Sequence, residues 1–182
     1  MRWLPLARRN FITMWRDWLS LGVNVGLPAL MLLVLQALSG VDEFFSVTSL
    51  APGIAVFGFA MLTMTSAMAL ALDRETSMFA RLLTTPLQAN GFVLAYTVPY
   101  LAVAALQALM VFLIAMLLGL EMAGSVFIVA LILLILAVWY VAMGMILGSV
   151  LPYKAVTAGW VVVLLLKIFG GTWVNLAEIG GV

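Results

Sequence analysis

Apolar segments long enough to cross a bilayer recur along the chain and are separated by short polar stretches. A helix needs about 20 apolar residues to cross a hydrocarbon core of about 30 Å. The segments that satisfy this length are 19–38, 53–72, 92–118, 125–150 and 155–173. The pattern therefore predicts an all-α polytopic membrane protein with five transmembrane helices, in which residues 1–182 form a single transmembrane domain.

The segment 1–18, before the first predicted span, has the pattern of an amphipathic helix lying in the headgroup region. At 100° per residue, aromatic and apolar side chains share one face, and arginines lie on the opposite face. The apolar face holds Leu4, Ala7, Phe11, Met14, Trp15 and Trp18. The polar face holds Arg2, Arg9, Thr13 and Arg16, and Arg8 adds a further positive charge. The alternative interpretation is a basic flank that only sets the topology.

The positive charges predict the orientation of the chain. With the N-terminus inside, the cytoplasmic segments hold Arg2, Arg8, Arg9, Arg16, Arg74, Arg81 and Lys154, whereas the outer segments hold no Lys or Arg. Cytoplasmic loops of membrane proteins carry an excess of Lys and Arg. We therefore expect a cytoplasmic N-terminus and, after five spans, an external C-terminus. The expected location of this multi-pass protein is the plasma membrane.

Composition narrows the possible functions. The chain has 8 Lys or Arg, 7 Asp or Glu and 66% hydrophobic residues. So few charges could not cover a soluble fold, and a net charge of +1 gives no basis for nucleic-acid binding. The chain contains no Cys and no His, which excludes disulfides, thiolate chemistry and histidine catalysis. We therefore predict no catalytic residue, no metal site and no enzymatic activity in this chain.

Polar residues within the predicted spans have two possible roles. They are Asn24, Gln36, Thr63, Thr65, Ser66 and Gln107. Such residues either form hydrogen bonds between helices or line a substrate pathway. The motifs Gly22-xxx-Gly26 and Gly144-xxx-Gly148 permit close helix contact, although this pattern is frequent in apolar sequence.

The predicted cytoplasmic loop 73–90 concentrates charge, with four of the fifteen charges within nine residues. Thr76 or Ser77 could cap a short helix that Pro86 would end. Its apolar stripe would consist of Met78, Phe79, Leu82 and Leu83. A short helix with such a stripe could bind in a groove on a partner protein. The alternative is an ordinary re-entry turn with the stripe lying on lipid.

Three stretches of the sequence carry a resemblance to a known family. The first is the amphipathic start, with Leu6-Ala7-Arg8-Arg9-Asn10 leading to Arg16-Asp17. The second is Pro52-Gly53-Ile54 opening a span that ends in Asp73-Arg74-Glu75, followed by Arg81-Leu82-Leu83-Thr84-Thr85-Pro86. The third is Gly144-Met145-Ile146-Leu147-Gly148-Ser149 before Pro152, and then Gly170-Gly171-Thr172-Trp173. Across essentially the whole chain, the sequence resembles the membrane-spanning permease subunits of ABC-2 type exporters.

The resemblance implies that loop 73–90 forms a coupling helix in a groove of a separate cytosolic ATPase subunit. The contact residues carried over are Asp73, Arg74, Glu75, Phe79, Arg81, Leu82, Leu83 and Pro86. ATP and Mg²⁺ would bind to that ATPase, because this chain has no Gly-x-x-x-x-Gly-Lys-Ser/Thr motif and is expected to bind no cofactor. Two permeases, identical or different, would pair with two ATPases to export a drug, a lipid or a lipid-linked glycan.

The resemblance also implies six spans, whereas the sequence supplies five and stops at Gly180-Gly181-Val182. The expected fold is therefore the six-helix arrangement of the family without its last helix. Two other functions are compatible with the sequence. One is a pore or secondary transporter that needs no ATPase, and the other is a truncated membrane anchor or assembly protein.

Overall fold

The computed structural model describes residues 3–37, 45–76, 88–120 and 124–169. In chain order, the helices are α1 (Leu4–Arg16), α2 (Trp18–Gln36), α3 (Val47–Glu75), α4 (Ala89–Leu117), α5 (Val126–Val150) and α6 (Tyr153–Phe169). No strand occurs within these described ranges. The prediction of an all-helical fold is therefore confirmed.

Four of these helices, α2 to α5, are long and apolar enough to cross a membrane. They correspond to the first four predicted spans. Over its described residues, α6 offers only a shorter apolar helix, Tyr153–Val163, so the count of five spans is not confirmed. The fifth predicted span, 155–173, also extends past residue 169 and so lies partly outside the described residues.

The N-terminal segment is divided by Asp17, so the predicted single helix over 1–18 differs from the structure. Asp17 leaves the helical conformation at φ −85° and ψ 77°, and its carboxylate accepts a hydrogen bond from the Ser20 amide at 3.1 Å. This is the geometry of an N-cap, which starts α2 at Trp18. The interfacial position of α1 remains a prediction.

The faces of α1 divide between the bundle and its surface. The side chains buried against neighbouring helices are those of Leu6, Ala7, Asn10 and Met14. Phe11 and Trp15, which belong to the predicted apolar face, are exposed and stack on each other with ring centroids 5.6 Å apart. The Asn10 amide donates to the Ala95 carbonyl oxygen at 3.0 Å and so fixes α1 to α4.

The central helix of the bundle is α3, which packs against α2, α4, α5 and α6. Glycines let α5 approach it closely. A Cβ placed on Gly144 would lie 2.5 Å from the Thr63 carbonyl oxygen, and one on Gly148 would lie 2.5 Å from the Ala67 carbonyl oxygen. Real side-chain carbons do not approach so closely, so the predicted close contact through Gly144 and Gly148 is made with α3.

The structure places Asp73, Arg74 and Glu75 in the last turn of α3, and α4 begins at Ala89. Only residues 76–88 therefore remain between the two helices, a shorter connection than the predicted loop 73–90. The predicted coupling helix falls on residues 77–87, which lie outside the described part of the chain.

Candidate functional site

The last turn of α3 carries three consecutive charged residues, Asp73, Arg74 and Glu75, which we call the charged triplet. The Asp73 carboxylate accepts a hydrogen bond from the Arg9 guanidinium at 2.6 Å and another from the Tyr96 hydroxyl at 2.5 Å. Arg9 belongs to α1 and Tyr96 to α4. One carboxylate therefore holds two neighbouring helices against the end of α3.

The second member of the charged triplet, Arg74, reaches α5. Its guanidinium donates to the carbonyl oxygen of Gly148 at 2.8 Å and to that of Leu151 at 3.4 Å. The last carbonyl groups of a helix lack partners within the helix and carry a partial negative charge. A cationic donor therefore stabilises the C-terminal end of α5 and ties it to α3.

The third member, Glu75, reaches α6. Its carboxylate accepts a hydrogen bond from the Tyr153 amide at 2.7 Å. Tyr153 is the first residue of α6, where backbone amides lack acceptors and an anion is favoured. The charged triplet as a whole therefore contacts four helices: α1, α4, α5 and α6.

Sequence reasoning selected the charged triplet but missed its partners in the fold. The predicted contact of Asp73, Arg74 and Glu75 with an ATPase remains a prediction, because the contacts described above are all made within this chain. The remaining predicted contact residues, Phe79, Arg81, Leu82, Leu83 and Pro86, lie outside the described residues. Tyr96 and Tyr153 were not selected, because no local sequence signal links them to a carboxylate 23 or 78 residues away.

The charged triplet borders a cavity of about 530 Å³, which we call the inner cavity. It lies among α1, α2, α3, α4 and α6. Its polar lining includes Arg9, Asp17, Asn24, Thr65 and Asp73. Aromatic side chains from α4 and α6 and apolar side chains from α1, α2 and α3 complete the wall. The cavity is therefore amphipathic.

One wall of the inner cavity contains a π-helical segment of α2, Gly22–Gly26. Asn24 is its buried residue, with 3% of its surface exposed. The Asn24 amide donates to the Ser20 carbonyl oxygen at 2.7 Å, and its oxygen accepts from the Thr65 hydroxyl at 3.1 Å. The second bond joins α2 to α3. Single π-helical turns occur frequently at functional sites.

The other polar residues predicted within the spans lie farther from the inner cavity. The Thr63 hydroxyl donates to the Tyr140 carbonyl oxygen of α5 at 2.9 Å, and the Gln107 amide of α4 donates to the Ala55 carbonyl oxygen at 3.1 Å. Ser66 donates to a carbonyl of its own helix, and Gln36 lies half-buried at the end of α2. Thr63 and Gln107 thus make bonds between helices, and a role in a substrate pathway remains a prediction.

The predicted interfacial residues divide between the bundle and its surface. Arg9 lies in the charged contact with Asp73, whereas Arg8, Phe11, Trp15 and Arg16 are exposed on α1. Trp18 belongs to α2 and is 80% exposed. Contact of these exposed side chains with lipid headgroups remains a prediction.

The long apolar helices define a helical, multi-pass membrane protein. A sequence profile of the family described as ABC-2 type transporter matches residues 2–182. The chain therefore belongs to the ABC-2 type transporter family, in agreement with the resemblance seen in its motifs, and this supports a permease role in general terms. Permeases of this family normally pair with an ABC ATPase. No curated protein and no solved structure matches the chain.

Proposed function

We propose that the chain is the permease subunit of an ABC exporter in the plasma membrane, with its N-terminus in the cytoplasm. A separate cytosolic ATPase binds ATP and Mg²⁺ and docks on the segment that follows α3. A second permease, identical or different, completes the membrane part. The exported substrate is hydrophobic or amphiphilic: a drug, a lipid or a lipid-linked glycan. In this proposal, the present chain binds no cofactor and catalyses no reaction itself.

The observation that carries the proposal is the position of the charged triplet. It directly precedes the proposed docking segment and bonds the end of α3 to α1, α4, α5 and α6. Hydrogen bonds to charged groups contribute about 1.5–3 kcal/mol each. A displacement of the end of α3 by a docked ATPase would therefore move four other helices with it.

Close packing around α3 favours such a concerted movement. The backbones of α3 and α5 approach closely at Gly144 and Gly148, which leaves little free space between the two helices there. Packed interfaces tend to switch between discrete arrangements and do not deform continuously. These contacts support a mechanism in which the bundle alternates between inward- and outward-open states as the ATPases close and open.

A co-purification experiment tests the proposal. The full chain is extracted from its membrane in mild detergent, and associated ATPase is quantified by mass spectrometry. Arg81→Glu with Leu82→Asp should abolish the association while leaving membrane insertion intact. The matched control is Lys154→Glu with Ala155→Asp, which makes the same charge reversal and adds the same carboxylate in the first turn of α6. The control should retain the ATPase.

Two results would contradict the proposal. Unchanged association in the Arg81 and Leu82 double variant would remove the docking segment from the contact. Recovery of a stable, inserted chain with no ATPase at all would instead favour the pore or secondary transporter, or the membrane anchor.

A further inference from the structure

The inner cavity has the size of a site for a small molecule. Its volume of about 530 Å³ falls within the range of about 300–1,000 Å³ found for ligand pockets. Thr65 and Asp73 both line it and are eight residues apart on α3, so its wall extends about 12 Å along that helix. Such a depth accommodates a compact amphiphile beside the end of α3.

The charged groups of the lining favour a cation. The cavity is lined by one positive group, Arg9, and by two negative groups, Asp17 and Asp73. The formal net charge of its lining is therefore −1. The guanidinium of Arg9 is bonded to Asp73 at 2.6 Å and to Asn10 at 3.0 Å. A bound anion would compete with these bonds and face two carboxylates. A cation would instead be attracted by Asp17, which is exposed at the junction of α1 and α2.

Aromatic side chains supply the second feature that suits a cation. Tyr96 and Tyr100 of α4 and Tyr153 and Trp160 of α6 line the cavity. The face of an aromatic ring attracts a positive charge, and tryptophan does so most strongly. Sites lined by several aromatic rings are a usual arrangement for binding quaternary ammonium ions.

The third feature is independent of charge. The π-helical turn of α2 contains Asn24, which lines the cavity together with Thr65. Apolar side chains, among them Met14, Val23 and Met68, form the rest of the wall. The lining of the cavity thus combines charged and polar side chains with apolar ones.

We propose that the inner cavity binds an amphiphilic organic cation. The positive centre of this cation lies near Asp17 and the aromatic rings, and its apolar part lies against Met14, Val23 and Met68. The proposal deepens the exporter function, because its physiological meaning as a substrate site rests on that function. Binding to the permease alone, however, requires neither an ATPase nor ATP. The co-purification experiment therefore tests ATPase docking, and a binding measurement on the permease alone tests this site.

The test compares two ions of the same shape and opposite charge. Radiolabelled tetraphenylphosphonium and tetraphenylborate are each equilibrated with the purified full chain in a nonionic detergent, without ATPase. We expect the cation to bind with saturation and at least about tenfold more tightly than the anion, since Asp17 attracts one ion and repels the other. Equal uptake of both ions would mean partition into apolar surface and would overturn the proposal.

The first variant removes the charge and preserves the fold. Asp17→Asn retains the N-cap, because asparagine caps helices as well as aspartate does. It should weaken cation binding about tenfold and leave anion binding no weaker. The control Glu121→Gln removes the same charge between the predicted spans 92–118 and 125–150, on the side predicted to be external, and should leave cation affinity unchanged. An equal loss in both variants, or no loss in Asp17→Asn, would overturn the charge assignment.

The second variant removes an aromatic wall. Trp160→Leu should weaken cation binding about threefold to fivefold, because it removes a ring face but keeps apolar bulk. The control is Trp139→Leu on α5, where the side chain is 63% exposed and does not line the inner cavity. The same loss in both tryptophan variants would contradict binding at this site. Size-exclusion profiles verify that each variant is folded. If Trp160→Leu does not fold, the result for Asp17→Asn decides the outcome.

Discussion

The ion pair between Arg9 and Asp73 should stabilise the bundle measurably, because it fastens α1 to the central helix. Two unit charges about 4 Å apart attract each other by about 4 kcal/mol at an effective dielectric constant of 20. Solvent reduces this value, since 35% of the Arg9 side chain and 21% of the Asp73 side chain are exposed. Fully exposed pairs contribute only about 0.2–1 kcal/mol. We therefore expect a coupling energy of about 1–2 kcal/mol.

A double-mutant cycle measures that coupling. Asp73→Asn keeps the shape of the side chain, and Arg9→Gln shortens it but leaves a polar amide. Both remove the charge, and each leaves the other group without its ionic partner. Each single variant should lose about 2 kcal/mol of stability. For a chain of this length, that loss corresponds to a fall of about 4–8 °C in the unfolding midpoint. The double variant should lose about 1–2 kcal/mol less than the sum of the single losses.

The assay is the thermal unfolding midpoint of the full chain in detergent, followed by size-exclusion chromatography after heating. Tyr96→Phe serves as the comparison, because it removes the hydroxyl bonded to Asp73 but retains the ion pair. Its expected loss is about 1.5 kcal/mol, the lower end of the range for a hydrogen bond to a charged group, because Asp73 keeps its bond to Arg9. If the shift of the double variant equals the sum of the Arg9 and Asp73 single shifts, the two residues are not coupled and the reasoning is refuted.

Three further substitutions test other contacts by the same thermal assay. Gly148→Ala should lose about 1–3 kcal/mol of stability, because the new Cβ meets the backbone of α3. The control Gly159→Ala, whose Cβ has ordinary contacts, should lose no stability, and equal shifts of the two unfolding midpoints would contradict the close approach of α5 to α3. Thr63→Val should lose only about 0.6 kcal/mol of stability, the average for a hydrogen bond between membrane helices. A loss several times larger would show that Thr63 contributes more than this one bond to α5. Glu75→Ala should lose about 1 kcal/mol of stability and increase hydrogen exchange at the start of α6. Glu75→Gln retains an acceptor and should lose less stability, and identical losses would contradict the capping of α6 by the Glu75 carboxylate.

The four long helices could be predicted from the sequence because the bilayer thickness sets a minimum apolar length. Their ends were harder to predict. Pro52 suggested a start near residue 53, yet α3 begins at Val47. A proline removes one backbone donor and crowds the preceding turn, which kinks or breaks many helices, but membrane helices tolerate it where neighbouring groups compensate. The apolar pattern alone does not reveal such compensation.

The break at Asp17 left a local signal that the amphipathic pattern concealed. Aspartate is a preferred N-cap residue, and the structure shows the Asp17 carboxylate accepting a hydrogen bond from the backbone amide of Ser20. The helical pattern of aromatic residues nevertheless runs through Trp15 and Trp18 as if the helix were continuous. The π-helical turn at Gly22–Gly26 left no comparable signal in the sequence. Its Asn24 bonds to Thr65 on another helix, a contact that a local pattern does not predict.

The charged triplet itself was visible in the sequence, but the number of helices that it contacts follows from geometry. Consecutive residues of an α-helix are about 100° apart around its axis, so three of them cover about 200°. On a central helix, such a run faces neighbours on more than half of the circumference. Asp73 meets a cation and a hydroxyl, Arg74 meets helix-terminal carbonyls and Glu75 meets a helix-terminal amide. Exchanging the first two residues would keep the composition but place a cation beside Arg9 and a carboxylate beside the carbonyls. The order of the three charges, and not their number, therefore fits the end of α3 to its neighbours.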